Sequence, residues 1–222
     1  CPMSSAVLQL LALATMVVDH VGLALFPGEG WLRWVGRLSF PLFVFLLCEG
    51  FVHTSSRRKY ALRLGVFALL SEVPYQLLMG QVYGESWGWP VGNIFFELLC
   101  CFFALWCVER GGLWIFVTAG LALAAQLLGL SYGAYGVVLA VCFFLFRGKP
   151  WLQGIALVGA TCLYCVYYSN WVQGWAMLAA VPLALYNGQR GRRLPRYFLY
   201  GFYPLHLAAL AGALWLLDMP GV

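Results

Sequence analysis

Thr15-Met16-Val17-Val18-Asp19-His20-Val21-Gly22 sets a carboxylate beside an imidazole, near the end of a run otherwise apolar enough to cross a membrane. Between Ala6 and Phe26 only Gln9, Thr15, Asp19 and His20 are appreciably polar. As a helix this run rises about 31 Å at ~1.5 Å per residue, matching a hydrocarbon core of about 30 Å. A charge at the centre of a bilayer costs about 2.5–3.5 kcal/mol even on the lenient insertion scale. Residues of this kind face a bundle interior and either act there or join one helix to another.

Composition agrees with the run. The 222 residues are 63% hydrophobic and 9% charged, with a mean hydropathy of +0.84. Soluble domains carry about 25% charged residues. The expectation is therefore all-α: a polytopic membrane helical bundle forming a single domain over 1–222. The first run is too long for the apolar part of a signal peptide and lacks a basic leader, so it counts as a permanent span. Seven of the eight cysteines lie in apolar runs and read as reduced, structural thiols. Cys162 and Cys165 form a C-x-x-C without a second pair, so no metal site is expected.

Nine apolar runs can be marked, at 6–26, 34–52, 60–79, 93–109, 112–129, 133–146, 151–168, 171–186 and 198–217. They predict about nine spans. The basic residues test that count. Arg57, Arg58, Lys59, Arg63, Arg110, Arg147, Lys149, Arg190, Arg192, Arg193 and Arg196 all belong to even-numbered loops, leaving only Arg33 and Arg37 of the 13 Lys and Arg elsewhere. Positive charge collects in short cytoplasmic loops. The N-terminus is then inside, and the net charge of +5 reports topology and anionic lipid, not nucleic acid. Trp31, Trp34, Trp87 and Trp89 fall near span ends, as interfacial aromatics do.

This topology turns sequence position into depth. Asp19, His20, Arg37, Glu72, Asn93 and Glu97 fall in the outer half of the membrane, and His206 falls near mid-depth. At these residues the chain resembles the TraX family. The carrying segments are Ala12-x-x-x-Met16-x-x-Asp19-His20-x-Gly22, Gly36-Arg37-Leu38-Ser39-Phe40-Pro41-Leu42-Phe43 and Glu49-Gly50-Phe51-x-His53-Thr54. Further along come Tyr60-x-x-Arg63-Leu64, Ser71-Glu72-x-Pro74, Asn93-x-Phe95-Phe96 and Tyr132-Gly133-x-Tyr135-Gly136-Val137. Tyr186-Asn187-Gly188-x-Arg190-Gly191 and Tyr203-Pro204-Leu205-His206-Leu207 complete the set. Glu97 stands where the family pattern has threonine, and Ser131 where aspartate is common.

The resemblance implies a bacterial cytoplasmic (inner) membrane protein that acetylates an acceptor, as TraX acetylates the N-terminus of a pilin. The first helix, a downstream arginine and a late histidine are also similar, more distantly, to the acyltransferase-3 and heparan-glucosaminide acetyltransferase group, which use cytosolic acetyl-CoA. Acyl transfer needs a base, donors for an oxyanion and a positioned thioester. His20 is the candidate base, or else an acyl carrier. Neighbouring helical residues point about 100° apart, so Asp19 cannot orient His20. Asp19 is expected to reach Arg37, with Glu72 or Glu97 holding the far ring nitrogen of His20. Arg37 and Asn93 are candidates for the oxyanion.

Each has a structural alternative. Arg37 reads equally as a paired cation, Glu72 as a partner for donors freed by Pro74, Asn93 as an N-cap and His206 as a cross-helix bond. For acetyl-CoA phosphates the candidates are Asn187, Arg190, Arg57 and Arg58, on basic loops that topology alone also explains. The acceptor class stays open among a protein N-terminus, a glycan and a small molecule. A proton-coupled small-molecule transporter is the alternative function, since intramembrane carboxylates and histidines also build proton relays.

Overall fold

The computed structural model describes residues 2–84, 92–192 and 195–217. Trp87, Trp89 and Arg193 lie outside them. Every apolar run of the sequence is helical, and among the described residues there is no strand beyond an isolated bridge between Met3 and Tyr186. The helices are α1 (Ser5–Leu25), α2 (Gly30–Gly36), α3 (Ser39–His53), α4 (Arg57–Tyr83), α5 (Ile94–Arg110), α6 (Trp114–Leu127), α7 (Ala134–Leu145) and α8 (Pro150–Tyr168). A 3₁₀ helix, Trp171–Ala179, leads into α9 (Ala180–Ala184), and α10 spans Arg196–Leu216.

Local chemistry sets these ends. Ser4, Ser56 and Asn93 accept from Val7, Lys59 and Phe95 backbone N–H groups, capping α1, α4 and α5. Gly84, at φ +67°, closes α4 in the left-handed conformation. Pro150 opens α8 at its first turn, where its missing N–H costs nothing.

The count of nine spans is corrected. Five helical segments are long and apolar enough to cross a membrane: Ser5–Leu25, Gly30–His53, Arg57–Tyr83, Pro150–Tyr168 and Tyr197–Leu216. α5 has 17 residues, α6 has 14, α7 has 12, and the Trp171–Ala184 stretch is also short. At about 1.5 Å per residue, α7 rises only about 18 Å. α5 and α7 bury Leu98, Cys101, Phe102, Leu105, Val137, Leu139, Ala140 and Phe143 against each other and α3. These shorter helices all fall below the ~20 residues of a standard span.

Cross-helix bonds gather the loops into two ends. At one, Met3, Ser5 and Ala6 donate backbone N–H groups to Leu185, Gln189 and Arg190. There, too, Glu49 meets Arg147 and Tyr186, and Arg57 meets Glu109. These contacts tie together the described parts of all four even-numbered loops, so their described basic residues share an end. At the other, Asp19 meets Arg33 and Arg37, Asn93 meets Glu72, and Ser131 donates to Gly92 O at 2.6 Å.

Gly136 is where α7 lies closest to α5 and α3. A methyl there would fall 2.1 Å from Glu97 Oε1 and 2.9 Å from the Phe40 ring. Gly136→Ala is expected to destabilise the bundle by ~1–3 kcal/mol, read as a lower melting temperature in detergent; an unchanged melt would contradict this packing.

Candidate functional site

Asp19 is 8% exposed and doubly paired. Arg37 Nη2 donates to Oδ1 at 2.7 Å and Oδ2 at 2.8 Å, while Arg33 Nη1 donates to Oδ2 at 2.8 Å. The Asp19–Arg37 pairing follows the sequence expectation. Arg33 was not anticipated, although it sits one turn before Arg37 and so shares its face. Gly36 makes the approach possible: a methyl there would lie 2.0 Å from Asp19 Oδ1.

Because Asp19 faces α2 and α3, His20 is turned towards α10. Its Nδ1 lies 3.0 Å from Nε2 of His206, whose own Nδ1 lies 3.0 Å from the Phe202 carbonyl oxygen. A carbonyl can only accept, so in the neutral pair His206 carries its proton on Nδ1 and accepts at Nε2. His20 then donates from Nδ1, and its Nε2 keeps a lone pair. The partner of His20 is therefore His206, and not Glu72 or Glu97.

The two glutamates have other work. Glu72 accepts from Gln76 Nε2 at 2.6 Å and from Asn93 Nδ2 at 2.5 Å. Asn93 also donates from Nδ2 to Ala68 O at 2.8 Å and caps α5 through Oδ1, so it joins α4 to α5. Both N–H groups of its amide are committed, so Asn93 is not placed as a free oxyanion donor; Arg37 spends Nε on the Arg33 carbonyl and Nη2 on Asp19. Glu97, fully buried, accepts from the Tyr132 and Gly133 backbone N–H groups at 3.2 and 3.0 Å. It holds the turn in which Gly133 has φ +57°.

A cavity of about 1130 Å³ opens at the basic end. His53, Lys59, Arg190 and Arg192 stand at its exposed mouth, and Leu13, Phe43, Leu47 and Leu64 form apolar wall. It reaches inward to Met16, Ile94, Phe95 and Tyr203. Met16 is one turn before His20, and the Tyr203 ring meets the His20 ring edge-on at 6.2 Å. The cavity thus runs from the basic end to residues that adjoin His20.

The sequence-predicted phosphate ligands divide here. Arg190 lines the cavity. Arg57 is paired with Glu109 and lies over the Phe51 ring, and Arg58 is exposed outside the lining. Asn187 uses its Oδ1 to accept from the Gln189 N–H at 2.9 Å. Lys59 and Arg192, from the same two basic stretches, also line the cavity, as does Arg63, which the sequence offers only as topology and family pattern. Beside the mouth, Glu49 accepts from Arg147 Nε at 2.7 Å and Tyr186 Oη at 3.0 Å. That ion pair holds the Arg147 guanidinium above its ordinary pKa.

Residues 4–214 match the family described as TraX protein. The chain belongs to the TraX family. Among its curated relatives, a Dichelobacter nodosus protein named probable fimbrial assembly protein FimC, serogroup H1, is 27% identical, with 93% of each chain covered. Protein TraX of Escherichia coli is 30% identical over 92% of this chain and 84% of its own length. No solved structure matches. The TraX match spans both the histidine pair and the residues at the cavity mouth.

Removing the carboxylate of Asp19 strands two guanidiniums inside the bundle. Asp19→Ala is expected to cost ~3–5 kcal/mol, against ~0–1 kcal/mol for Glu109→Ala in a solvated pair. Unfolding by titration with a denaturing detergent measures both, and equal effects would contradict the difference in burial.

Proposed function

We propose that this TraX-family chain is an integral-membrane acyltransferase. It moves acetyl from acetyl-CoA, bound from the basic end, to an amine or hydroxyl acceptor. The observation that carries this is the cavity, which runs from four exposed basic or histidine side chains inward to Met16 and Tyr203, residues that adjoin the hydrogen-bonded histidine pair. The positive-inside rule assigns the basic end to the cytosol, with the N-terminus inside, in a bacterial inner membrane. Cytosolic acetyl-CoA then meets the mouth, and its narrow pantetheine arm follows the apolar wall.

In this reading His20 Nε2 takes the proton from the acceptor as its nitrogen or oxygen bonds to the thioester carbonyl carbon. The C–S bond then breaks, and the departing thiolate takes that proton to leave as the CoA thiol. His206 is a positioning residue. By accepting from Nδ1 it fixes the tautomer of His20 and steadies the imidazolium that forms, the part a carboxylate plays in other base pairs. Asp19, pinned between Arg33 and Arg37, sets the rotation of α1 that presents His20. The fimbrial-assembly name of one relative favours a fibre subunit with a free N-terminal amine as acceptor.

Purified protein incubated with labelled acetyl-CoA and envelope extract tests this. His20→Ala is expected to lower transfer at least ~10²-fold while the melting temperature is kept. His206→Ala is expected to lower kcat more than it raises KM. A well-folded His20→Ala protein with full transfer would sink the assignment. Solute flux through proteoliposomes without CoA would favour a transporter instead.

A further inference from the structure

Arg63 is a cation that the fold leaves without a counter-charge. It lies on α4 six residues beyond Arg57, about 9 Å deeper at ~1.5 Å per residue, in the cavity wall and not at its rim. Its guanidinium sits 5.3 Å from the Tyr60 ring centre and 5.9 Å from that of Tyr200. Its Nε is buried without a hydrogen-bond partner, and no described carboxylate is within ion-pair distance. Among the described residues the carboxylates of this end are Glu49 and Glu109, and they are taken by Arg147 and Arg57. A cation kept only for topology gains from extending fully into water, whereas Arg63 is half-buried with its Nε enclosed and unbonded.

We propose that Arg63 is the anchor for a diphosphate ester, the diphosphate of the CoA donor. The donor's identity rests on the acyl-transfer reading; the anionic character of the ligand rests on the cavity alone. A guanidinium presents a planar fork of N–H groups that matches phosphate oxygens two at a time, and the flanking tyrosine rings hold that fork flat. Lys59, Arg190 and Arg192 line the same cavity and neutralise the remaining phosphate charge. The spacing fits the chemistry. On α10, Tyr200 beside Arg63 and His206 beside His20 are six residues apart, about 9 Å of rise. A diphosphate at Arg63 leaves the thioester arm to pass Leu64 and Phe95 and end at the histidine pair.

Anionic lipid headgroups offer the same phosphate chemistry, so the test separates the sources. The full chain, in phosphatidylcholine nanodiscs, is titrated calorimetrically with CoA, pantetheine and inorganic pyrophosphate. Arg63→Gln is expected to weaken CoA at least about tenfold and to leave pantetheine, which has no phosphate, unchanged. In the unsubstituted protein, CoA and pyrophosphate are expected to shield Arg63 from phenylglyoxal, mapped by peptide mass spectrometry, while Arg110 is still labelled. This second readout holds even if the variant does not fold. CoA bound equally by both proteins, with Arg63 labelled at the same rate, would overturn the anchor and leave acyl transfer standing. Binding of pyrophosphate without CoA would keep the anion site and remove the acyl donor. Shielding by phosphatidylglycerol nanodiscs alone would give Arg63 to lipid and overturn the proposal.

Discussion

A carboxylate withdrawn from water inside an apolar helix bundle has to be paired, and Asp19 is paired twice. Arg33 on α2 and Arg37 at its C-cap bracket it, and Gly36 is bare because any side chain there would strike the carboxylate. The ion triad fixes the rotation of α1. Since successive helical side chains diverge by about 100°, turning Asp19 towards α2 and α3 turns His20 towards α10. The His20–His206 contact, and the direction in which protons are shared along it, follow from that one constraint.

A second asymmetry lies at the opposite end. Glu49 and Glu109 are each consumed by an arginine that ties loops together, Arg147 and Arg57. Four other cations face a cavity, Lys59, Arg190 and Arg192 near its mouth and Arg63 in its wall. Electrostatics that began as a signal for topology thus acquires a second use, because surplus positive charge around an apolar passage suits a ligand with a phosphorylated head and a thin uncharged tail. In the proposed reading Arg63 grips one end of the donor, and the other end passes Met16 and Tyr203 to meet His20.

Much of this was legible in the sequence, and the gaps have physical causes. Charge alternation along the chain matched the gathering of loops at two ends, and the Asp19–Arg37 pair followed from helical geometry. Asn93 turned out to cap α5, its structural alternative, while also bonding Glu72. Span number failed because an apolar run does not report how much of it forms one helix: α6 and α7 close after 14 and 12 residues. The partner of His20 lies 186 positions away on a helix that no local pattern connects to α1. Arg63 was hidden by its company, since a basic residue near a basic loop reads as topology until a cavity is seen to run past it. Arg57 erred the other way: only the fold reveals that Glu109 has claimed it.

The most direct measurement is an electron cryomicroscopy structure of the full chain with a non-transferable acetyl-CoA analogue. The account predicts density that starts with the diphosphate at Arg63, follows Leu64 and Phe95, and places the acyl carbonyl beside Nε2 of His20. An analogue bound outside the cavity, or seated with its acyl group away from the histidine pair, would contradict it.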